Sequence, residues 1–127
     1  PDRSAVHSRR DTLFIRLLDL PAALTARRYS APLDVVLDVR DDLIPANAGL
    51  WRLVVDDDGS ATCAPAGSGA SPDLGLDVRE LGAAYLGSSL LGSLADAGLV
   101  ETRSPRALAE ASAAFGHAPA AWCPLTF

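Results

Sequence analysis

The sequence predicts an α+β domain with a mixed or antiparallel sheet of about five strands and helices packed on one face. Three observations lead to this prediction. Apolar and polar residues alternate in several short segments, as they do in strands with one buried face. Helical periodicity is concentrated in the second half of the chain. This order of strands followed by helices favours α+β over a doubly wound α/β fold.

The first part of the domain, residues 11–40, reads as a strand, a helix and a second strand. Alternating apolar residues at 13–17 and again at 33–39 predict the two strands. Between them, Asp19 can cap a helix that has Pro21 in its first turn, where no N–H is needed. The inner side of this helix is expected at Leu20, Ala23, Leu24 and Arg27.

Three further strands and a hairpin are predicted in the middle of the chain. Residues 41–49 contain turn formers, and the alternation at 51–55 predicts a third strand. The Asp-Asp-Gly-Ser sequence at 57–60 is a hairpin signal, so residues 61–64 are expected to return as a fourth strand. A short fifth strand is predicted at 73–76.

Three helices are predicted between residues 78 and 116. Their starts are indicated by Asp77 with Glu80 as a capping box, by Ser88 or Ser89, and by Ser104 followed by Pro105. Gly98 and Gly116 are placed to end the second and third of these helices.

Composition limits the possible functions. The chain of 127 residues is long enough for one domain with a core, and 49% of it is apolar. We assign residues 1–10 to a linker and 11–127 to the domain. The net charge of −5 argues against nucleic acid as a partner, and no apolar run approaches the roughly 20 residues of a membrane span. Because no signal peptide is visible, we expect a cytoplasmic protein, with secretion of a longer form left open.

Neither a metal nor a cofactor site is predicted in this chain. Cys63 and Cys123 are far apart and lack the spacing of a zinc site, and a Cys123–His117 nucleophile pair has no third, orienting group. The glycines at 67 and 69 do not form a phosphate-binding motif. The three aspartates at 56–58 do not match a calcium loop and read as a solvated turn.

The C-terminal tail, residues 117–127, ends in an unusually apolar sequence. Trp122, Leu125 and Phe127 each gain roughly 1.5–3 kcal/mol on burial, so we expect this end of the chain to be docked. Docking would hold the terminal carboxylate of Phe127 in place. A fixed carboxylate in a partly apolar site can act as a general base or bind a cationic amine.

Several phrases of the sequence carry a family resemblance. They are LLDLPAALTARRY, PLDVVLDV, WRL, DLGLDVRELGAAYLG, LADAGLVE, ALAEASAAF and WCPLTF. In this order they resemble the C-terminal domain of the enhanced intracellular survival (Eis-like) family of N-acetyltransferases. The resemblance implies a sterol-carrier-protein-like fold that follows two GNAT-type regions, the first of which binds acetyl-CoA. It also implies hexameric assemblies and acetyl transfer to amines, including aminoglycosides and lysine side chains.

The resemblance assigns one catalytic group to this chain. The family's C-terminal carboxylate serves as general base, which here is the main-chain carboxylate of Phe127. The resemblance makes Thr126 and Phe127 the expected substrate-binding residues. Thr126 departs from the family pattern, because some members carry an acid there that would attract polycationic aminoglycosides. The family's general-acid tyrosine lies upstream, and Tyr29 and Tyr85 are interpreted as packing residues of the predicted helices.

The sequence is compatible with three functions. The preferred one is an accessory domain that completes the amine-acceptor pocket of an acetyltransferase and has no independent active site. Its partners would be the upstream domain, an amine substrate and, in the full-length protein, further copies of itself. The second is a stand-alone sterol or lipid carrier, which would need an apolar tunnel. The third is a module used only for oligomerisation.

Overall fold

The computed structural model describes residues 13–87 and 89–117. In chain order, the elements are α1 (Leu20–Ala26), β1 (Leu33–Arg40), a 3₁₀ turn (Pro45–Asn47), β2 (Gly49–Val55), β3 (Ala61–Pro65), β4 (Leu74–Asp77), α2 (Val78–Tyr85), α3 (Leu91–Asp96), β5 (Val100–Thr102) and α4 (Pro105–Phe115). None of the described helices has the length and apolarity needed to cross a bilayer. The linker assigned to residues 1–10 lies outside the described part of the chain.

The five strands form one mixed sheet in the order β3-β2-β1-β4-β5. β1 lies at the centre, antiparallel to β2 and parallel to β4, while the β2–β3 and β4–β5 pairs are antiparallel. The turn at 56–60 joins β2 to β3 as the sequence predicts, and Gly59 adopts a positive φ of 82° there. The predicted mixed sheet is therefore confirmed, with a single parallel pair at its centre.

One face of the sheet is buried under the helices. α4 packs on β1, α2 on β4, α3 on β5, and α1 on β3. The strand residues that face the helices are Leu33, Val35, Leu37, Val39, Trp51, Leu53 and Val55, none of them more than 9% exposed. On the opposite face, Arg52 forms a two-point ion pair with Asp34 at 2.9 and 2.6 Å. This alternation confirms helices on one face of the sheet.

The strand predicted at residues 13–17 is wrong, although its alternation is real. Leu17 is buried and Ile15 is half-buried, but this segment joins no strand. It lies instead against α2, where a Cβ on Gly82 would collide with the carbonyl oxygen of Ile15. The buried amide of Asn47 also holds it, because this amide donates to the Leu17 carbonyl. Alternation reports one buried face, and here a helix covers that face rather than a neighbouring strand.

β5 takes the fifth place in the sheet, and the sequence did not predict it. Its three residues include one buried side chain, Val100, which is too little for a period-two pattern. The edge position is set by pairing with β4, a tertiary contact that leaves no local signature.

Most of the predicted helix starts are confirmed. Asp19 accepts a hydrogen bond from Ala22 N at 3.2 Å, and Ser104 accepts one from Ala107 N at 3.2 Å. The start of α3 is a correction. Its N-cap is Leu90, which provides no side-chain cap, so Ser89 does not open the helix, and Ser88 lies outside the described residues.

The capping box of α2 forms only in part. The Asp77 carboxylate accepts from Arg79 N at 3.0 Å, as a cap should. The Glu80 side chain does not reach back to the cap. It is buried and pairs with the guanidinium of Arg79 at 3.4 Å.

Candidate functional site

The predicted site residues, Phe127 and Thr126, lie outside the described part of the structure. Trp122 and Cys123 lie outside it as well. The description ends at His117, ten positions before Phe127 in the sequence. The structure does show the last described residues before them, at the end of α4 and just beyond it. We call Phe115, Gly116 and His117 the tail root.

Arg27 contacts the first residue of the tail root, Phe115. It is the C-cap of α1, and its half-buried guanidinium reaches across to two other helices. Nη2 donates to the carbonyl oxygen of Phe115 at 3.1 Å, at the end of α4. Nη1 donates to the carbonyl of Ala84 at 3.5 Å, in the last turn of α2, and Nε donates to the carbonyl of Arg28 at 3.2 Å. The C-terminal ends of three helices therefore meet at one guanidinium.

Aromatic rings surround this guanidinium. Its central carbon lies 4.5 Å from the ring centre of Tyr29, 4.9 Å from that of Phe115 and 5.7 Å from that of Tyr85. The Tyr29 and Phe115 rings pack edge to face, with centroids 5.2 Å apart. We call these four residues the Arg27 cluster. A guanidinium within about 6 Å of ring faces is attracted by their negative electrostatic potential.

Both tyrosines of the cluster use their hydroxyl groups to hold α1. Tyr29 Oη donates to the Leu24 carbonyl at 2.7 Å, and Tyr85 Oη donates to the Ala23 carbonyl at 2.9 Å. The interpretation of both tyrosines as packing residues is confirmed, although Tyr29 follows α1 rather than lying within it. Burial raises the pKa of Tyr29, so its phenol stays neutral and a donor under ordinary conditions.

The charge of Arg27 is balanced by backbone dipoles. Burial lowers the pKa of this guanidinium, and the neighbouring Tyr29 and Tyr85 act in the opposite direction. All of its hydrogen bonds among the described residues go to carbonyl groups. Unpaired carbonyls at the end of a helix carry partial negative charge, so a cation is stabilised where the ends of α2 and α4 meet.

The tail root has further contacts on two sides. Ser30 N donates to the Ala114 carbonyl at 3.0 Å, and Ser30 Oγ donates to the Gly116 carbonyl at 2.5 Å. Gly87 has a φ of +81°, and a Cβ on it would lie 2.6 Å from the Cβ of His117. The backbone therefore follows a defined path up to its last described residue.

An apolar groove of about 500 Å³ lies between α3 and α4 and borders the tail root. Its lining includes Leu90, Leu108, Ala109, Ala113 and Gly116. The groove is shallow and lies on the outside of α4. Between the sheet and the helices, large side chains that are almost fully buried fill the interior of the described domain.

A second polar cluster holds the N-terminal segment of the domain. The buried Asp41 carboxylate accepts from Leu43 N at 3.0 Å and Ile44 N at 2.9 Å, and also from Arg16 and the Asn47 amide. Burial acts to raise the pKa of Asp41, but these hydrogen bonds and the nearby Arg16 guanidinium outweigh it, so the pKa lies below its ordinary value.

Sequence reasoning missed both clusters. In the sequence, Arg27 occupies a helical position that is expected to face the core. A charged residue at such a position is a signal that could have indicated the Arg27 cluster. Asn47 was interpreted as a turn former, yet it is the only carboxamide side chain in the sequence. Its amide is fully engaged in the interior, with hydrogen bonds that reach as far back as Leu17.

Other chemistry is limited in the described part of the chain. Within residues 13–87 and 89–117, no three His, Cys, Asp or Glu side chains come together as a metal site would require. Cys63 is a free thiol, and burial raises its pKa to about 11, so it is not a thiolate at neutral pH. Cys123, the other cysteine of the sequence, lies outside these ranges.

Comparison with known proteins identifies related chains. Residues 20–124 match the family described as "Sterol carrier protein domain". An "Uncharacterized N-acetyltransferase" of Streptomyces coelicolor is 53% identical over 93% of this chain and 28% of its own length. "N-acetyltransferase Eis" of Mycobacterium tuberculosis is 34% identical over 84% of this chain and 25% of its own length.

A solved structure agrees with these sequence matches. The crystal structure of Eis1 from Mycobacterium abscessus matches 88% of this chain and 27% of its own, with a TM-score of 0.73 and 36% identity. The chain thus spans about a quarter of the length of the relatives it matches.

Proposed function

The chain belongs to the sterol carrier protein domain family, and from this premise we propose that it is the accessory domain of an Eis-like, acetyl-CoA-dependent N-acetyltransferase. In this proposal the domain completes the pocket for the amine acceptor and supplies the terminal carboxylate of Phe127 as general base. The observation that carries it is the relatedness of the chain to proteins named N-acetyltransferase, of which the matched region is only 28% and 25% of the length.

In this proposal, the acceptor amine binds at this chain and acetyl-CoA binds elsewhere in the longer protein. A coenzyme with a pyrophosphate is usually held by a glycine-rich loop before a helix, and the sequence has no such motif. We therefore place acetyl-CoA binding in the remaining part of the longer protein. The acceptor is an amine of the aminoglycoside or lysine type, and Thr126 and Phe127 line its site. The full-length protein is expected to form a homo-oligomer.

The chemistry of the acceptor requires a base. An amine of this type is mostly protonated at neutral pH and must lose a proton before its nitrogen can attack the thioester carbonyl carbon. The carboxylate of Phe127 takes that proton directly or through water. The new carbon–nitrogen bond then forms as the carbon–sulfur bond breaks and the coenzyme leaves as a thiolate. An α-carboxyl has an ordinary pKa of about 3.3–3.7, and an apolar environment such as Trp122 and Leu125 would raise it toward a useful value.

Two variants of the full-length protein test this assignment. Deleting Phe127 should lower kcat by roughly 10²–10⁴-fold, the usual contribution of a general base. Adding one glycine after Phe127 keeps the side chain but moves the carboxylate by roughly 3.3–3.6 Å. The added glycine should therefore also slow turnover, measured as release of coenzyme thiol with kanamycin or a lysine peptide as acceptor. Wild-type turnover in the extended enzyme would mean that Phe127 serves only in packing.

A lipid carrier is the second candidate, and the groove between α3 and α4 is the observation in its favour. Against it stands the filled interior of the described domain, where a carrier of this fold would need its tunnel. We expect the isolated chain to bind neither a fluorescent fatty acid nor a sterol at micromolar concentration. Lipid that co-purifies with the chain and is seen by native mass spectrometry would favour the carrier.

A further inference from the structure

We propose that three exposed apolar residues, Phe14, Leu18 and Leu43, form the surface through which this domain docks onto the remaining part of the longer protein. We call these three residues the Phe14 surface. The inference rests on the function proposed above and adds to it the contact between the two parts. The occupant is an apolar region of the same polypeptide, against which the ring of Phe14 packs.

The Phe14 surface holds the three most exposed large apolar side chains among the described residues. Phe14 is 83% exposed, Leu43 72% and Leu18 70%, whereas no other exposed leucine of the described chain exceeds 47%. Single exposed apolar residues are ordinary on proteins, but a group of them indicates a contact surface. The loop continues the pattern, because residues 43–46 are Leu-Ile-Pro-Ala and three of the four are exposed.

Shared hydrogen bonds hold the two parts of the Phe14 surface next to each other. Arg16 Nη2 and Leu43 N both donate to Oδ1 of the buried Asp41. Asn47 Nδ2 donates to Oδ2 of the same carboxylate at 3.0 Å and to the Leu18 carbonyl at 3.3 Å. The N-terminal segment therefore lies beside the loop that carries Leu43, and the three side chains share one region of the surface.

The segment at residues 13–18 is held in place without belonging to the sheet. It forms no backbone-to-backbone hydrogen bond with another described residue. Its position depends instead on the hydrogen bonds to Asp41 and Asn47 and on the inward packing of Ile15 and Leu17. A surface that is already fixed loses little conformational entropy when it binds, which favours docking.

The size of the Phe14 surface favours a partner within the same polypeptide. One exposed phenylalanine and two exposed leucines present on the order of 400 Å² of apolar area. This is half of the roughly 800 Å² that each partner buries in a stable complex of separate proteins. A linked partner needs less, because its effective concentration reaches about the millimolar range. The relatives contain such a partner, since this chain matches only 28% and 25% of their length.

The charges around the Phe14 surface disfavour a lipid membrane as its occupant. Asp19 and Asp42 are both exposed and adjoin Leu18 and Leu43 in the sequence. The arginine of the segment is already paired with the Asp41 carboxylate. Binding to an anionic bilayer is strengthened by clusters of basic residues, which this region lacks in the described chain. An apolar protein surface is therefore the occupant that this chemistry favours.

Photo-cross-linking in the full-length protein tests the contact. Phe14→p-benzoylphenylalanine keeps an aromatic side chain and makes it photoreactive. We expect a product that runs as a monomer on a denaturing gel and in which peptide mapping joins residue 14 to the part of the protein outside this domain. The control is Asp57→p-benzoylphenylalanine, in the exposed hairpin turn, and its yield of such a product should be about 10-fold lower.

Two results of this experiment would overturn the inference. A cross-linked product that runs as a dimer would mean that a second copy covers the Phe14 surface. Equal yields from positions 14 and 57 would mean that the surface makes no specific contact.

Hydrogen exchange in a second pair of full-length variants keeps the inference testable if the cross-linking variant does not fold. Leu43→Asp places a charge in the contact, so the amides of residues 13–18 should exchange about 10-fold faster while those of β1 stay unchanged. Leu99→Asp, at an exposed leucine before β5, is the control and should leave both sets unchanged. Wild-type exchange at residues 13–18 in Leu43→Asp would overturn the inference.

These measurements separate this inference from the proposed function. Cross-linking and hydrogen exchange need no turnover, so they report on the contact even if the variants of Phe127 show that its carboxylate is not the base. A missing contact overturns the docking surface and leaves the role of Phe127 to be decided by the kinetics of its own variants.

Discussion

Replacing Asn47 by alanine should strongly destabilise the domain. The side chain is 2% exposed and links the N-terminal segment to the loop before β2. Its Oδ1 accepts from Leu20 N at 3.0 Å, and its Nδ2 donates to the carbonyls of Leu17 at 3.2 Å and Leu18 at 3.3 Å. Nδ2 also donates to the Asp41 carboxylate at 3.0 Å. Alanine would leave all of these groups without this partner.

The magnitude follows from the backbone groups that would be left buried and unpaired. An unpaired buried donor or acceptor costs about 1–3 kcal/mol. Leu20 N–H and the Leu17 carbonyl are buried, whereas Leu18 is exposed and its carbonyl is more readily hydrated. We therefore expect Asn47→Ala to lower the free energy of unfolding by about 2–4 kcal/mol. For a domain of this size, this corresponds to a fall in Tm of about 8–16 °C.

Urea denaturation of the 127-residue chain, followed by tryptophan fluorescence, measures this effect. Trp51 reports on the site because its indole N–H donates to the backbone carbonyl of Asn47 at 2.8 Å. Asp42→Ala, a substitution at an exposed neighbour, is the control and should stay within about 0.5 kcal/mol of the wild type.

A second variant, Asn47→Asp, keeps an acceptor for Leu20 N–H but places a second carboxyl group next to that of Asp41. It should be most destabilising at neutral pH and recover as pH falls. A loss below 1 kcal/mol in Asn47→Ala, or wild-type stability of Asn47→Asp at pH 7, would refute the reasoning.

Two further predictions concern neighbouring parts of the fold. Gly82→Ala should destabilise the domain by about 1–3 kcal/mol, because its Cβ would meet the carbonyl of Ile15. Gly67→Ala, at a site with open space, is the control, and equal Tm values for the two variants would contradict the collision. Because the pKa of Asp41 is lowered by folding, its stabilisation is fully present above the ordinary value of 3.8 and is lost as pH falls through the lowered pKa. Unfolding free energies measured between pH 7 and 2 should show this loss, and Asp41→Asn should remove it. An unchanged pH profile in Asp41→Asn would exclude the carboxylate as its source.

Local signals in the sequence were sufficient for much of the fold. Asp19 and Ser104 could be identified as helix caps because a cap depends on residues two or three positions away. The alternation within residues 33–39 predicted β1, since one of its faces is buried along its full length. These features depend on short-range geometry, and the structure confirms them.

Features that depend on distant partners could not be predicted in the same way. The segment at 13–17 alternates like a strand, but whether a strand or a helix covers it is decided by residues far along the chain, such as Gly82. β5 becomes a strand by pairing with β4. The Arg27 cluster and the polar cluster around Asp41 and Asn47 each contain a hydrogen bond between residues 27 or more positions apart. For Phe127 the sequence provided a role through family resemblance, and the residue lies outside the described part of the chain.

The parallel pairing of β1 with β4 has a consequence for how the chain folds. β1, β2 and β3 follow one another as antiparallel neighbours, so their contacts close short loops and can form early. The β1–β4 pairs, such as Leu37 with Leu74, close a much longer loop and must form later. During synthesis, β1 therefore presents an unpaired edge until Leu74 has left the ribosome. We expect nascent chains that stop before this point to be those most prone to pair with one another.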